Sequence, residues 1–128
     1  AGDSSEYSNL VSACTLATDC NIPAAPANCV AARQGGTTQP DPILVTWSYS
    51  GIPVSGFRVA RLDPGENPNN PDHWDNVGGD LPPNQFSFTD NSPGRLNGQT
   101  YNYKVRAFVD CTCGRTFGEY SNSDPANP

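Results

Sequence analysis

Residues 101–111 constrain this chain more than any other stretch. Tyr101, Tyr103, Val105, Ala107 and Val109 fall on one side of an extended backbone. Asn102, Lys104, Arg106 and Asp110 fall on the other, with Phe108 the apolar exception. Successive side chains of a strand point to opposite faces, so this period of two predicts a long antiparallel strand with one face in a core. Asn97–Gly98, just upstream, punctuates a tight turn. An apolar strand face must be covered by a second layer, and the rest of the sequence has to supply it.

Other runs do so with the same period. Ile43, Val45, Trp47 and Tyr49 share one face, and Thr46, Ser48 and Ser50 the other. The segment 85–90 directs Phe86 and Phe88 inward. These runs are short and are separated by Gly, Pro, Asn and Asp, in keeping with 13 prolines and 12 glycines. No helical period is evident after residue 21. The pattern predicts an all-β fold, a two-sheet antiparallel β-sandwich. The 128 residues suffice for one domain with a real core. A buried tyrosine needs a partner for its hydroxyl, which a bond from Tyr101 back to the preceding loop would supply.

The stretch Leu96–Asn97–Gly98–Gln99–Thr100–Tyr101–Asn102–Tyr103–Lys104–Val105–Arg106–Ala107 resembles the E–F corner and strand F of a bacterial-type fibronectin type III domain. Ile43–Tyr49 resembles strand B, with Trp47 as the core tryptophan; 26–32 resembles strand A, 54–61 strand C, 85–90 strand E and 118–123 strand G. The spacing from Leu96 to Tyr101 is one residue shorter than the commonest family form. The resemblance implies an N-terminal arm over 1–22, a fibronectin type III-like sandwich over 23–124 and a tail over 125–128. It implies strands B and E in one sheet, C and F in the other. Trp47, Tyr101, Val105, Phe57, Val59 and Phe88 should then be mostly buried.

Seven basic against 13 acidic residues give a net charge of −6, which makes nucleic acid an unfavourable partner. No apolar run is long enough to span a membrane as a helix. The chain has no methionine and begins Ala1–Gly2–Asp3, as expected of a chain whose leader was removed or one cut from something longer. No phosphate-binding glycine loop or nucleophile elbow occurs, and a hydrolytic triad would need His73, the single histidine, inside a motif it lacks. No catalytic residue and no cofactor are expected.

Five cysteines stand at Cys14, Cys20, Cys29, Cys111 and Cys113. They lack zinc and haem spacings, so disulfides in an oxidising compartment are expected, with no metal. Five is odd, so at least one thiol is free or pairs outside the chain. A bridge between Cys111 and Cys113 would be strained, so each should seek another partner. In the topology the resemblance implies, strand A begins near the F–G loop, and at least one bridge from residues 14–29 to the Cys111/Cys113 pair is expected.

In the arm, Asp3–Ser4–Ser5–Glu6 can cap a helix, and Tyr7, Leu10, Val11 and Cys14 follow at helical spacing. The blander reading is a frayed terminus pinned by a disulfide. Tyr7, Leu10 and Val11 are the candidate contact face of this arm. The segment 63–83 reads as a long polar connection holding Asp63, Glu66, Asp72, Asp75 and Asp80. It is able to ligate calcium, though turn-forming Asp and Asn explain its composition as well. Trp74, in the same segment, either stacks on a sugar or a partner or covers the sandwich edge.

The function expected is a non-catalytic extracellular structural or adhesive protein, a subunit of a surface or filament assembly. It would associate with itself or with another extracellular protein. The alternative is an accessory carbohydrate-binding or spacer module of a secreted polysaccharide-degrading enzyme, with a polysaccharide as partner. A receptor ectodomain fragment is a third reading. Fold alone does not choose among them.

Overall fold

The computed structural model describes residues 21–35, 41–92, 94–96, 98–111 and 114–128. Eight strands form among them: β1 (Ala27–Arg33), β2 (Ile43–Ser48), β3 (Gly56–Leu62), β4 (Trp74–Leu81), β5 (Ser87–Asp90), β6 (Tyr101–Cys111), β7 (Gly114–Phe117) and β8 (Asp124–Ala126). One sheet has the order β1-β2-β5. The other has the order β4-β3-β6-β7, with β8 also on β6, and all pairings are antiparallel. The two-sheet sandwich is as the alternating pattern predicts, with β2 and β5 in one sheet and β3 and β6 in the other.

Apolar positions of period two fill the space between the sheets. Ile43, Val45 and Trp47 of β2 meet Phe57 and Val59 of β3 and Tyr101, Tyr103, Val105 and Ala107 of β6, all buried. The Trp47 and Phe57 ring centroids lie 5.7 Å apart with tilted planes, a favourable aromatic arrangement. β5 fits less well than its sequence suggests. Phe88 is half-buried, and Phe86 lies outside the strand at 43% exposure, although its ring still approaches Phe57.

Two segments depart from expectation. The connection 63–83 is not loop throughout: a 3-10 turn at Pro71–His73 leads into the eight-residue strand β4. Its inward residues are Val77 and Leu81, four apart, because a register shift intervenes. Gly78 and Gly79 hold positive φ of 84° and 66° there. The shift breaks the alternation that would have shown the strand in the sequence. The final strand is also interrupted. β7 pairs the C-terminal part of β6 and β8 its N-terminal part, and 118–123 bridges them outside regular strand. The bridge stays close to β6 through Gly118 N–H to Ala107 O (2.9 Å) and Ser121 N–H to Val105 O (2.7 Å). A side chain at Gly118 would meet the Pro23 carbonyl oxygen at 2.4 Å, so the segment entering β1 passes directly over it.

The bridge and β8 also seal one side of the sandwich. Asn122 bonds both backbone groups of Cys29, donating to its carbonyl (2.9 Å) and accepting from its N–H (3.0 Å). Asp124 accepts from the Ala31 N–H (2.8 Å). These side chains satisfy β1 backbone groups that an incoming strand would otherwise pair with.

Candidate interaction face

The outward side of the five-stranded sheet follows from its registers. Arg58 lies opposite Arg106, Ala60 opposite Lys104, Leu62 opposite both Asn102 and Trp74, and Phe108 opposite Phe117. Since Phe57, Val59, Tyr103 and Val105 face the core, their neighbours in sequence face out. Four of the seven basic residues therefore gather on one surface: Arg58, Lys104, Arg106 and Arg115.

Rings separate these cations. The Lys104 ammonium lies 4.0 Å from the Trp74 ring centroid and 4.0 Å from that of Tyr120. The Arg106 guanidinium lies 4.9 Å from Tyr120 and 3.9 Å from Phe117. Arg58 takes the same Phe117 ring at 5.1 Å, and Arg115 lies 3.8 Å from Phe108. Each contact sets a cation against the negative face of a ring, worth about 0.5–2 kcal/mol according to desolvation. Trp74 is fixed further by its indole N–H, which donates to Pro68 O (2.9 Å). It belongs to the outer face of β4, the edge strand of its sheet, and is half-buried there against Lys104.

The two ends of the row differ in charge. Asp80 pairs with both Arg58 (2.7 Å) and Arg115 (2.8 Å), and Asp110 pairs with Arg115 (2.6 Å). Hydrogen bonds from Arg115 and then Arg58 hold the Asp80 carboxyl below its usual range. Lys104 and Arg106 have no carboxylate partner among the described residues. Arg106 Nε is buried without an acceptor. Burial, and next the charge of Arg106, pull the Lys104 ammonium below the usual lysine range.

Other candidate residues separate from this face. The proposed arm contacts Tyr7, Leu10 and Val11, and also Cys14, Cys20 and Cys113, lie outside the described residues. Cys111 is not free, and its Sγ lies 3.7 Å from Thr116 Oγ1. Cys29, a disulfide candidate, is corrected: it is a free thiol, 2% exposed, with Sγ 3.7 Å from the Tyr103 carbonyl oxygen. Its strand faces it into the core, and burial pushes the thiol up to about 11. The odd cysteine thus includes one that packs as a small apolar residue.

Of the five acidic residues between 63 and 80, Asp63, Glu66 and Asp75 bring carboxylate oxygens within 4.8 Å of one another. Arg61 already pairs with Asp63 (3.0 Å), and the Asp63 N–H donates to Glu66 (3.3 Å). Asp80 is committed to the arginines and lies outside this group. His73 spends both ring nitrogens inside its own loop. Nδ1 accepts from the Asn67 N–H (3.0 Å), and Nε2 lies 3.2 Å from the Asn70 amide. Sequence reasoning missed Arg95, which is 4% exposed and ties the β5–β6 loop to Asp41 O (2.9 Å) and Ser92 O (3.0 Å). In sequence it is an ordinary loop arginine; nothing local marks it for burial.

One bond bears on the fold's kinship. The Tyr101 hydroxyl accepts from the Leu96 N–H at 2.7 Å, five residues upstream. This is the tyrosine corner of such sandwiches. The fold is fibronectin type III-like. No protein-family model matches the sequence. No curated protein sequence matches it either. Similar solved structures include one described as a myokine, with TM-score 0.54, 14% identity, and coverage of 82% of this chain and 96% of that one. The chicken CNTN1 FN1–FN3 domains match with TM-score 0.53 and 17% identity over 82% of this chain. Pectate lyase Pel3 from Pectobacterium carotovorum matches with TM-score 0.51 and 16% identity over 79% of it. The chain spans 32% of the CNTN1 structure and 27% of the lyase. At these identities the likeness concerns the fold.

Proposed function

We propose that this chain is a non-catalytic extracellular binding module that works by association through the outer face of its five-stranded sheet. The observation that supports this is the Trp74–Lys104–Tyr120–Arg106–Phe117 row, a rigid surface of rings and cations that the sandwich core does not require. Preordered side chains lose little entropy on binding. The engagement of both nitrogens of His73 by its own loop leaves that residue poorly placed as a general base. A place in a surface or filament assembly remains part of this reading, with residues 1–22 as a further contact.

The test uses the labelled full chain and the outer surface of the cells that produce it. The chain should be retained, displaced by unlabelled chain, and released by the Arg106→Glu variant. A chain that stays monomeric by light scattering and is not retained would refute the reading, as would hydrolytic turnover by the purified protein.

The second reading, an accessory carbohydrate-binding or spacer module of a secreted polysaccharide-degrading enzyme, draws on the likeness to part of pectate lyase Pel3 and on the half-exposed Trp74. Retardation of the chain in a polysaccharide-containing native gel, abolished by Trp74→Ala, would favour it.

A further inference from the structure

The Lys104–Arg106 pair has a spacing of its own. The two residues lie two apart on one strand and share its outer face, so their backbone positions are about 7 Å apart. Each cation is clamped between two rings, Lys104 by Trp74 and Tyr120, Arg106 by Tyr120 and Phe117. Neither has a carboxylate partner among the described residues, whereas Arg58, opposite Arg106, pairs with Asp80, and Arg115 pairs with Asp80 and Asp110. The face is thus ordered throughout but neutralised at only one end.

We propose that the open end docks an extended segment of a partner protein carrying carboxylates at alternate positions. Side chains at alternate positions of an extended peptide repeat with the same spacing as those of β6, so two carboxylates meet Lys104 and Arg106 together. Charge limits the ligand. The chain carries −6, and Asp80 and Asp110 flank the row, so a polymer charged at every unit is repelled both at long range and at the neutralised end. A segment with two spaced acids avoids most of that repulsion.

This inference rests on the association reading above and narrows it. The probe is a fluorescein-labelled threonine-rich nonapeptide with glutamates at two alternate positions, titrated by anisotropy against the full chain at low salt. A peptide of the same composition with contiguous glutamates and an oligogalacturonate serve as comparisons. The alternating peptide should bind saturably and weaken as sodium chloride rises. Lys104→Gln or Arg106→Gln should each weaken it about tenfold. Arg33→Gln, on the opposite sheet, should leave binding unchanged. Circular dichroism establishes that each variant is folded, and the salt dependence of the unmodified chain needs no variant. Absence of saturable binding, or equal binding by both peptides, overturns the proposal. Tighter binding of the oligogalacturonate overturns it in favour of an acidic glycan. A dimer of the free chain that Lys104→Gln dissociates overturns it in favour of a second copy. Failure of the peptide with cell-surface retention intact sinks this inference and spares the broader reading.

Discussion

The Tyr103 hydroxyl donates to a carboxylate oxygen of Asp90 at 2.5 Å, and both side chains are completely buried. Tyr103 is the third residue of β6, on its core face, and Asp90 closes β5. The bond therefore joins the two sheets. Asp90 is also bonded by Arg61 Nη1 (3.0 Å), Ser92 Oγ (2.5 Å) and the Ser92 N–H (3.1 Å). A buried carboxylate needs such a set of donors to remain charged.

Asp90→Asn should therefore destabilise the fold by about 3–5 kcal/mol, because it leaves Arg61 and the remaining donors without the charge they surround. Tyr103→Phe keeps the ring and removes one donor, at about 1–3 kcal/mol. Urea denaturation followed by tryptophan fluorescence checks both. A cost for Asp90→Asn no greater than that of Tyr103→Phe would contradict the network described.

The same carboxyl predicts acid sensitivity. Burial alone would raise the Asp90 pKa, but hydrogen bonds from Ser92, Tyr103 and Arg61 outweigh it and hold it below the usual value. A pKa depressed in the folded state contributes stability above the unfolded value, about 3.9, and that stability is lost as pH falls through the folded value. Unfolding free energy should thus decline below about pH 4 in the unmodified chain. The decline should be shallower in Asp90→Asn, as urea midpoints measured across acid pH would show.

Gly78 and Gly79 differ by a single contact. Both hold positive φ, but a Cβ at Gly78 would lie 2.3 Å from the Phe88 ring, whereas one at Gly79 meets nothing within 4 Å. Gly79→Ala should cost the backbone term alone, about 1–2 kcal/mol. Gly78→Ala should cost more, because Phe88 must also move. Equal thermal midpoints for the two variants would refute the packing of Phe88 over β4.

Cys29 should resist alkylation in the native chain and react fully in urea, given its burial and a pKa of about 11. Mass spectrometry after iodoacetamide treatment distinguishes it from the other four cysteines. Rapid native labelling of Cys29, or its recovery in a disulfide-linked peptide, would contradict its place in the core.

Sequence alone determined the sandwich. Alternation in 43–49 and 101–109, broken only at Phe108, with turn residues between runs, leaves one buried face per strand and hence two packed sheets. The resemblance of 96–107 to an E–F corner also placed the tyrosine corner at Tyr101, whose hydroxyl needs a partner when buried. Only the tertiary structure decided β4, whose period is broken at Gly78–Gly79, and the fate of Cys29, whose facing depends on an irregular β1 with Asn28 at φ 55°. The interaction face was hidden for a related reason. Lys104 and Arg106 read as the ordinary solvent side of a strand. Trp74 and Tyr120 come to them from positions 30 residues before and 16 after Lys104. A contact between a cation and a ring that are distant in the chain leaves no local pattern, since it exists only once β4 and the bridge beyond β7 have been laid beside β6 and its neighbour β3.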